Sequence, residues 1–371
     1  MKKVAVITMH RIYNYGSVLQ TYATQRVLEN IGVQCEIIDY ISPYRAKKPL
    51  FLEYPPRLEG KKAKRTLYYI AKVPSFILKD ITFGGFIKKH INLSSKQYIT
   101  NADLLAEVPK ADIYITGSDQ VWNSKYNHGV DGSYYLNFAP ENATRIAFVS
   151  SFGRNALSAE EEKSVKPMLQ KYKAISVRED SAVDILSKMK IKSICLIDPT
   201  LQLDKSEWMS LSSKRLVKEK YLLLFLLYNE DNGATEYAVQ VARKNGLKIV
   251  KLSWELQKPK EIDYLFTHRP PEDFLSLFLN ADFVVTNSFH GVAFSINLNR
   301  QFAFVQRTEF NGRIESLLRL TDLENRKVVD HNNTSLVNQI IDYSEVNSIL
   351  AKERVRAIEY LERVIGNDRN N

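Results

Sequence analysis

What most constrains the fold of this chain is an alternation: a short, apolar, β-branched run, then a polar turn, then a segment with helical character. The clearest instance lies late in the sequence. Ala281-Asp282-Phe283-Val284-Val285-Thr286 reads as a buried parallel strand, Asn287-Ser288-Phe289-His290-Gly291 as a turn, and residues 291–297 as the start of a helix. Free backbone N–H groups and the positive end of the helix dipole converge at such a turn, which suits an anion. A histidine set there is a candidate proton-transfer group beside a bound phosphate or carboxylate. The alternative is that Ser288 only caps the helix and His290 is a satisfied core residue.

The same alternation opens the chain. Residues 4–9 read as a first strand, 10–16 as a turn, 17–30 as a helix and 34–40 as a second strand, a βαβ beginning that predicts a parallel sheet covered on both faces. Further short strands are expected at 112–116, 145–150 and 174–178. Ser158-Ala159-Glu160-Glu161 carries a helix-capping signature. Prolines punctuate 43–85, which reads as irregular or partly helical. A second α/β unit is expected after Asp198-Pro199-Thr200, with strands at 220–228 and 248–252, helices at 235–245 and 271–279, and a long terminal helix at 346–365. At 371 residues two domains are the default. The expected division is 1–197, carrying a basic insertion at 45–90 on the acceptor side; 198–345 on the donor side; and 346–371 as a terminal helix and tail.

Composition narrows the classes. The N-terminal apolar run is shorter than a signal peptide's and ends in His10-Arg11, and no stretch has the ~20 apolar residues of a membrane span. Cys35 and Cys195 stand far apart without metal-ligand spacing, so a reduced, cytoplasmic protein is expected. Residues 45–90 hold twelve Lys and Arg against three acids, nine of the chain's net charge of +10. Interleaved with Leu67, Tyr68, Ile70, Ile77 and Leu78, this stretch fits either an anionic membrane surface or a solvated face over ordinary core. No nucleic-acid motif accompanies the charge. HExxH, paired histidine ligands, DxD and GxSxG are all missing, so no metal, no cofactor and no α/β-hydrolase chemistry is expected.

Three further turns carry candidate chemistry. In His10-Arg11-Ile12-Tyr13-Asn14-Tyr15-Gly16-Ser17, Gly16 permits close backbone approach at a helix start, although capping alone would also explain it. In Thr116-Gly117-Ser118-Asp119-Gln120-Val121-Trp122-Asn123, Asp119, Gln120 and Asn123 supply polar groups. Trp122 there offers a flat face of the sort sugars stack on, unless it packs inward. Arg178, at a strand end, has the planar fork that grips carboxylate or phosphate, or else pairs with nearby acids.

Together these pieces resemble the polysaccharide pyruvyl transferase family. The resemblance rests on Asn14-Tyr15-Gly16, Thr116 to Asn123, Val177-Arg178-Glu179 with Ser181, Asp198-Pro199-Thr200, Ser288-Phe289-His290-Gly291 and Asn311-Gly312-Arg313. It implies an α/β fold of two facing Rossmann-like domains, like that of GT-B glycosyltransferases. It also implies transfer of pyruvate from phosphoenolpyruvate onto two hydroxyls of a sugar, giving a cyclic ketal in a cell-surface polysaccharide. By the same resemblance Arg178 and His290 correspond to donor-binding or catalytic positions; His290 is the catalytic candidate, with Asp119, by its residue type, as the candidate second acid/base. Arg178, Asn287, Ser288, Gly291 and Arg313 are expected on the donor, and Asn14, Gly16, Ser17, Gln120, Trp122 and Asn123 on the acceptor. A polyprenyl-diphosphate-linked acceptor would bring the protein to the inner face of the plasma membrane, as a peripheral partner of anionic lipid. One departure stands out: many members carry Arg-Leu-His where this chain has Ser288-Phe289-His290, so Arg313 or a lysine must replace the arginine, or the donor differs. The competing readings are an inverting GT-B glycosyltransferase using a sugar nucleotide with His10 as its base, and a non-catalytic glycan-binding protein.

Overall fold

The computed structural model describes residues 1–46, 59–227, 230–254, 257–308 and 311–366. Residues 47–58 of the expected basic segment and Tyr228 of an expected strand lie outside them. Among the described residues twelve strands form two sheets. The first contains β1 (Lys3–Ile7), β2 (Gln34–Tyr40), β3 (Leu93–Tyr98), β4 (Ile113–Thr116), β5 (Thr144–Ser150), β6 (Ala174–Val177) and β7 (Ile194–Cys195), in the order β3-β2-β1-β4-β5-β6-β7. The second contains β8 (Tyr221–Phe225), β9 (Lys248–Ser253), β10 (Tyr264–Thr267), β11 (Phe283–Thr286) and β12 (Phe302–Phe304), in the order β10-β9-β8-β11-β12. Every pairing in both is parallel. This is the expected pair of Rossmann-like units, because runs such as Val4-Ala5-Val6-Ile7 and Leu222-Leu223-Leu224 are buried on both faces and need helices on either side.

Strand order decides where a site can form. In an open parallel sheet the crevice lies at the carboxyl ends of the two strands where the order reverses. Here the reversals fall between β1 and β4 in one sheet and between β8 and β11 in the other. The turns following β1, β4 and β11 are among those the sequence singles out.

Two helices tie the halves together. The terminal helix, Tyr343–Ile365, begins against the second unit, where the Tyr343 hydroxyl donates to the Arg300 carbonyl. It ends on the first, where Tyr360 Oη donates to the Ala147 carbonyl at 3.2 Å and Lys2 Nζ to the Ile365 carbonyl at 2.6 Å. The expected terminal helix thus braces both units, and the last residues of the expected tail, 367–371, lie outside the described residues. The helix Lys62–His90 answers to the partly helical expectation for 43–85 and is longer than the prolines suggested: it runs unbroken through Pro74 and through Gly84-Gly85. Its inner side carries Phe83, which packs on Tyr15 (centroids 5.1 Å) and Trp254 (5.6 Å), one from each unit. Among the described residues no helix is long and apolar enough to cross a membrane.

Candidate active site

The first wall of the cleft grows from β1 and β4. Asn14 caps the helix Tyr15–Asn30 by accepting from the Gly16 N–H at 2.9 Å. One residue on, Ser17 Oγ donates to Asp119 Oδ2 at 2.5 Å, joining the turn after β1 to the turn after β4. Asp119 holds a left-handed backbone (φ 74°) and forms an isolated parallel bridge to Ser150. Beside it Val149 has φ 59°, where the β5–β6 register shifts. A β-branched residue in that region is strained, so the surrounding packing holds the backbone in place around the site.

Beneath this wall lies a buried ion cluster, and it corrects one expectation. Arg178 was expected to offer its fork to the donor. Its side chain is wholly buried: Nη1 donates to Asp198 Oδ2 at 2.8 Å and Nη2 to Asp119 Oδ1 at 3.1 Å, with Glu179 Oε2 3.8 Å from Nε. The guanidinium cannot take a ligand bidentately without abandoning an aspartate, so it orients Asp119 instead. Asp198 is fixed further by Ser118 Oγ (3.2 Å) and by the Thr200 N–H and hydroxyl. Burial by itself would raise the Asp119 pKa, but Arg178, with the Ser17 hydrogen bond, holds the carboxyl at about 2, an ionised group in a dry setting.

The second wall follows β11. Ser288 caps the helix Phe289–Asn297 by accepting from the Gly291 N–H at 3.2 Å. Phe289 lies between two guanidiniums, Arg178 at 5.0 Å and Arg313 at 5.6 Å from its ring centre, a cation–π arrangement. His290 is buried and reaches over the first wall, so close that a methyl group at Gly16 would lie 1.9 Å from its Nδ1. Gly16 is therefore required for the two turns to meet. His290 Nε2 is buried with no hydrogen-bond partner among the described residues. Burial drives the imidazole down to about 4, more than Asp198 and Asp119 draw it back, so it is neutral at physiological pH.

These walls enclose a narrow polar cleft lined by Asn14, Ser17, Asp119, Gln120, His290 and Arg313, among others. Most of the expected site residues are thereby brought together. Trp122 is not: it packs inward, stacked on Tyr135 at 5.6 Å, with its indole N–H on the Tyr134 carbonyl (3.1 Å), so it offers no face to a sugar. Asn123 is likewise internal, its amide spent on Gln120 Oε1 and on the Tyr126 N–H. Asn287 borders the cleft, but its amide clamps the loop after β8, accepting from the Leu227 N–H (2.7 Å) and donating to the Glu230 carbonyl (2.7 Å). Gly291 serves close packing, since a Cβ there would lie 2.2 Å from Thr286 Oγ1. His10, the base of the competing glycosyltransferase reading, is fully buried with Nε2 3.0 Å from Asp39 Oδ1, which Arg11 also grips. Sequence reading missed Arg307, which lines the cleft, and Arg154, which with Lys125 lines an adjoining cavity of about 500 Å³ that shares Arg313. Both arginines follow closely after strand ends, β12 and β5, the signal that would have found them.

The fold and the site define a GT-B protein: two Rossmann-like units with a polar cleft between the switch points of their sheets. Solved structures agree at low identity. A UDP-GlcNAc 2-epimerase from Methanocaldococcus jannaschii is 14% identical over 99% of both chains (TM-score 0.50). A second UDP-N-acetylglucosamine 2-epimerase is 12% identical over 100% of this chain and 98% of its own (TM-score 0.52). A UDP-bound Staphylococcus aureus protein is 10% identical over 99% and 98% (TM-score 0.50). No curated protein matches the chain. The sequence pattern of the polysaccharide pyruvyl transferases matches residues 14–308, and the chain belongs to that family.

Proposed function

We infer that the chain transfers pyruvate from phosphoenolpyruvate onto two hydroxyls of one sugar, forming a cyclic ketal on a unit of cell-surface polysaccharide. The observation that carries this reading is the meeting of His290 with the Asp119 wall in one narrow cleft that Arg307 and Arg313 also line. Arg313 and Arg307, the latter with its Nε donating to Glu230 Oε2 at 2.8 Å, bring positive charge beside a helix N-terminus, which suits a small, highly anionic donor. Arg313, which lines the cleft 5.6 Å from the Phe289 ring, is the candidate to replace the arginine that many members carry at position 288.

The chemistry requires a proton to reach the donor's methylene carbon, which makes the adjacent carbon electrophilic. One sugar oxygen then bonds to that carbon. The second sugar oxygen bonds to it as the carbon–oxygen bond to phosphate breaks. Of the two hydroxyl protons released, one balances the new methyl group and the other leaves with phosphate. Burial holds His290 neutral, so it starts as an acceptor of a hydroxyl proton; a bound trianion would raise its pKa and allow it to return that proton to carbon. Asp119, ionised and held by Arg178 and Ser17, is the charge that stabilises the imidazolium between these steps. The acceptor is proposed to arrive on a polyprenyl diphosphate carrier at the cytoplasmic face of the plasma membrane.

Thermal unfolding tests the donor assignment. Millimolar phosphoenolpyruvate at 100 times its Kd should stabilise the protein by about 2.7 kcal/mol, with no response to UDP, GDP or CMP. A response to one nucleotide alone would overturn the donor in favour of glycosyl transfer. His290→Ala should then lower ketal formation by ~10²–10⁴-fold, and near-normal turnover would remove the histidine from the mechanism.

A further inference from the structure

The helix Lys62–His90 turns an apolar stripe away from the protein. Leu67, Ile70, Ile77, Leu78 and Ile81 are 46–68% exposed. At 3.6 residues per turn they fall within an arc of about 100°, opposite the face that buries Tyr69, Phe83, Phe86 and Ile87. A row of large aliphatic side chains in water is costly unless something covers it. Basic residues stand at both ends of the row: Lys61, Lys62 and Lys64 before it, Lys88 and Lys89 after it, all exposed. The only acid within the helix is Asp80, which accepts from the Tyr13 hydroxyl.

From this pattern we propose that the outer face of the helix docks on an anionic lipid bilayer, its aliphatic stripe entering the headgroup boundary and its terminal lysines pairing with lipid phosphates. The charge argues for lipid over a second copy of the chain, because two such faces would bring like charges together at each end of an antiparallel or parallel pair. The helix is too polar to cross the membrane, so it lies on the surface, as an amphipathic helix with a basic rim does. Docking also places the cleft: the inner face of the same helix packs against Tyr15, next to Gly16, so the membrane lies one helix diameter (about 10 Å) from that turn. The inference stands apart from the donor assignment, since it concerns binding alone.

Co-sedimentation with vesicles, without donor or acceptor, tests it. Wild-type protein should pellet with phosphatidylcholine vesicles containing phosphatidylglycerol and not with phosphatidylcholine alone, and 0.5 M salt should lower binding at least tenfold. Leu67→Ser/Ile70→Ser/Ile81→Ser and, separately, Lys62→Glu/Lys64→Glu/Lys89→Glu should each lose at least tenfold, with wild-type thermal unfolding because all these side chains are exposed. Failure of the wild type to bind, or equal binding by the serine variant, would overturn the proposal. So would a concentration-dependent dimer in sedimentation velocity that the serine variant abolishes without any vesicle binding, which would assign the stripe to self-association.

Discussion

At Arg178 three carboxylates, from Asp119, Glu179 and Asp198, surround one guanidinium whose side chain no solvent reaches. Removing one partner of such a buried set strands the others. Arg178→Ala should therefore cost about 3–5 kcal/mol, read as a lower urea midpoint; a residue that merely contacted the donor would raise KM and leave the midpoint alone. Gly16→Ala makes the complementary test. With a methyl placed 1.9 Å from His290 Nδ1, the two turns cannot meet as they do, and activity should fall at least as far as in His290→Ala, with the His290 imidazole resonance shifting in NMR spectra. Sequence alone made Arg178, Asp119 and His290 conspicuous because each follows a strand, where ligands bind in such sheets. It could not say what Arg178 touches, because its partners stand 20 and 59 residues away and only the folded sheet brings them together. Trp122 misled for the same reason: the aromatic cage around it, Tyr135, Phe152 and Tyr172, is distributed over some fifty residues.

Elements were legible in proportion to how far their burial wrote itself into local sequence. The central strands β1, β2, β4, β8 and β11 carry continuous apolar or β-branched runs and stood out. The edge strand β3 (Leu93–Tyr98) is largely polar, β7 has two residues, β10 is half-buried at its edge and β12 has three, and none gives a periodic signal. Proline and paired glycines argued against a long helix at 62–90, and tertiary packing of Phe83, Phe86 and Ile87 overrode them. The terminal helix was visible as a helix, while its role as a brace was not. That role carries an expectation: Leu361→Ala, at a fully buried position of the helix, should destabilise by about 2–5 kcal/mol. Because the helix binds both units, urea unfolding of the variant should remain one transition shifted lower if the units unfold together, and a split into two transitions would show that the brace does not couple them.

For the molecule as a whole, acid is the informative stress. The His290 pKa is depressed on folding, from 6.5 to about 4, so between those values the unfolded chain binds the extra proton and stability falls as pH drops through this window. The loss is on the order of 3 kcal/mol when complete. Asp119, lowered from 3.8 to about 2, contributes stability that persists above 3.8 and disappears as pH falls through 3.8 toward 2. Urea midpoints measured from pH 7 to 3 should thus decline first through the histidine window, and His290→Gln should flatten that first decline while keeping the second. An unchanged slope in the variant would mean that His290 is not the group held neutral.

The closeness of Gly16 to His290 has one more consequence. The two residues belong to different sheets, so the wall that carries the acid and the wall that carries the imidazole are complete only while the halves are shut. Parting them would let water reach His290 and return its pKa toward the solution value, while Arg178 and Ser17, on the same side as Asp119, would keep their hold on that carboxylate. With the donor proposed above, a half-open molecule would be chemically idle, unable to squander an energy-rich enol phosphate on water before a sugar has arrived. Selectivity against hydrolysis would rest on the hinge rather than on any one side chain.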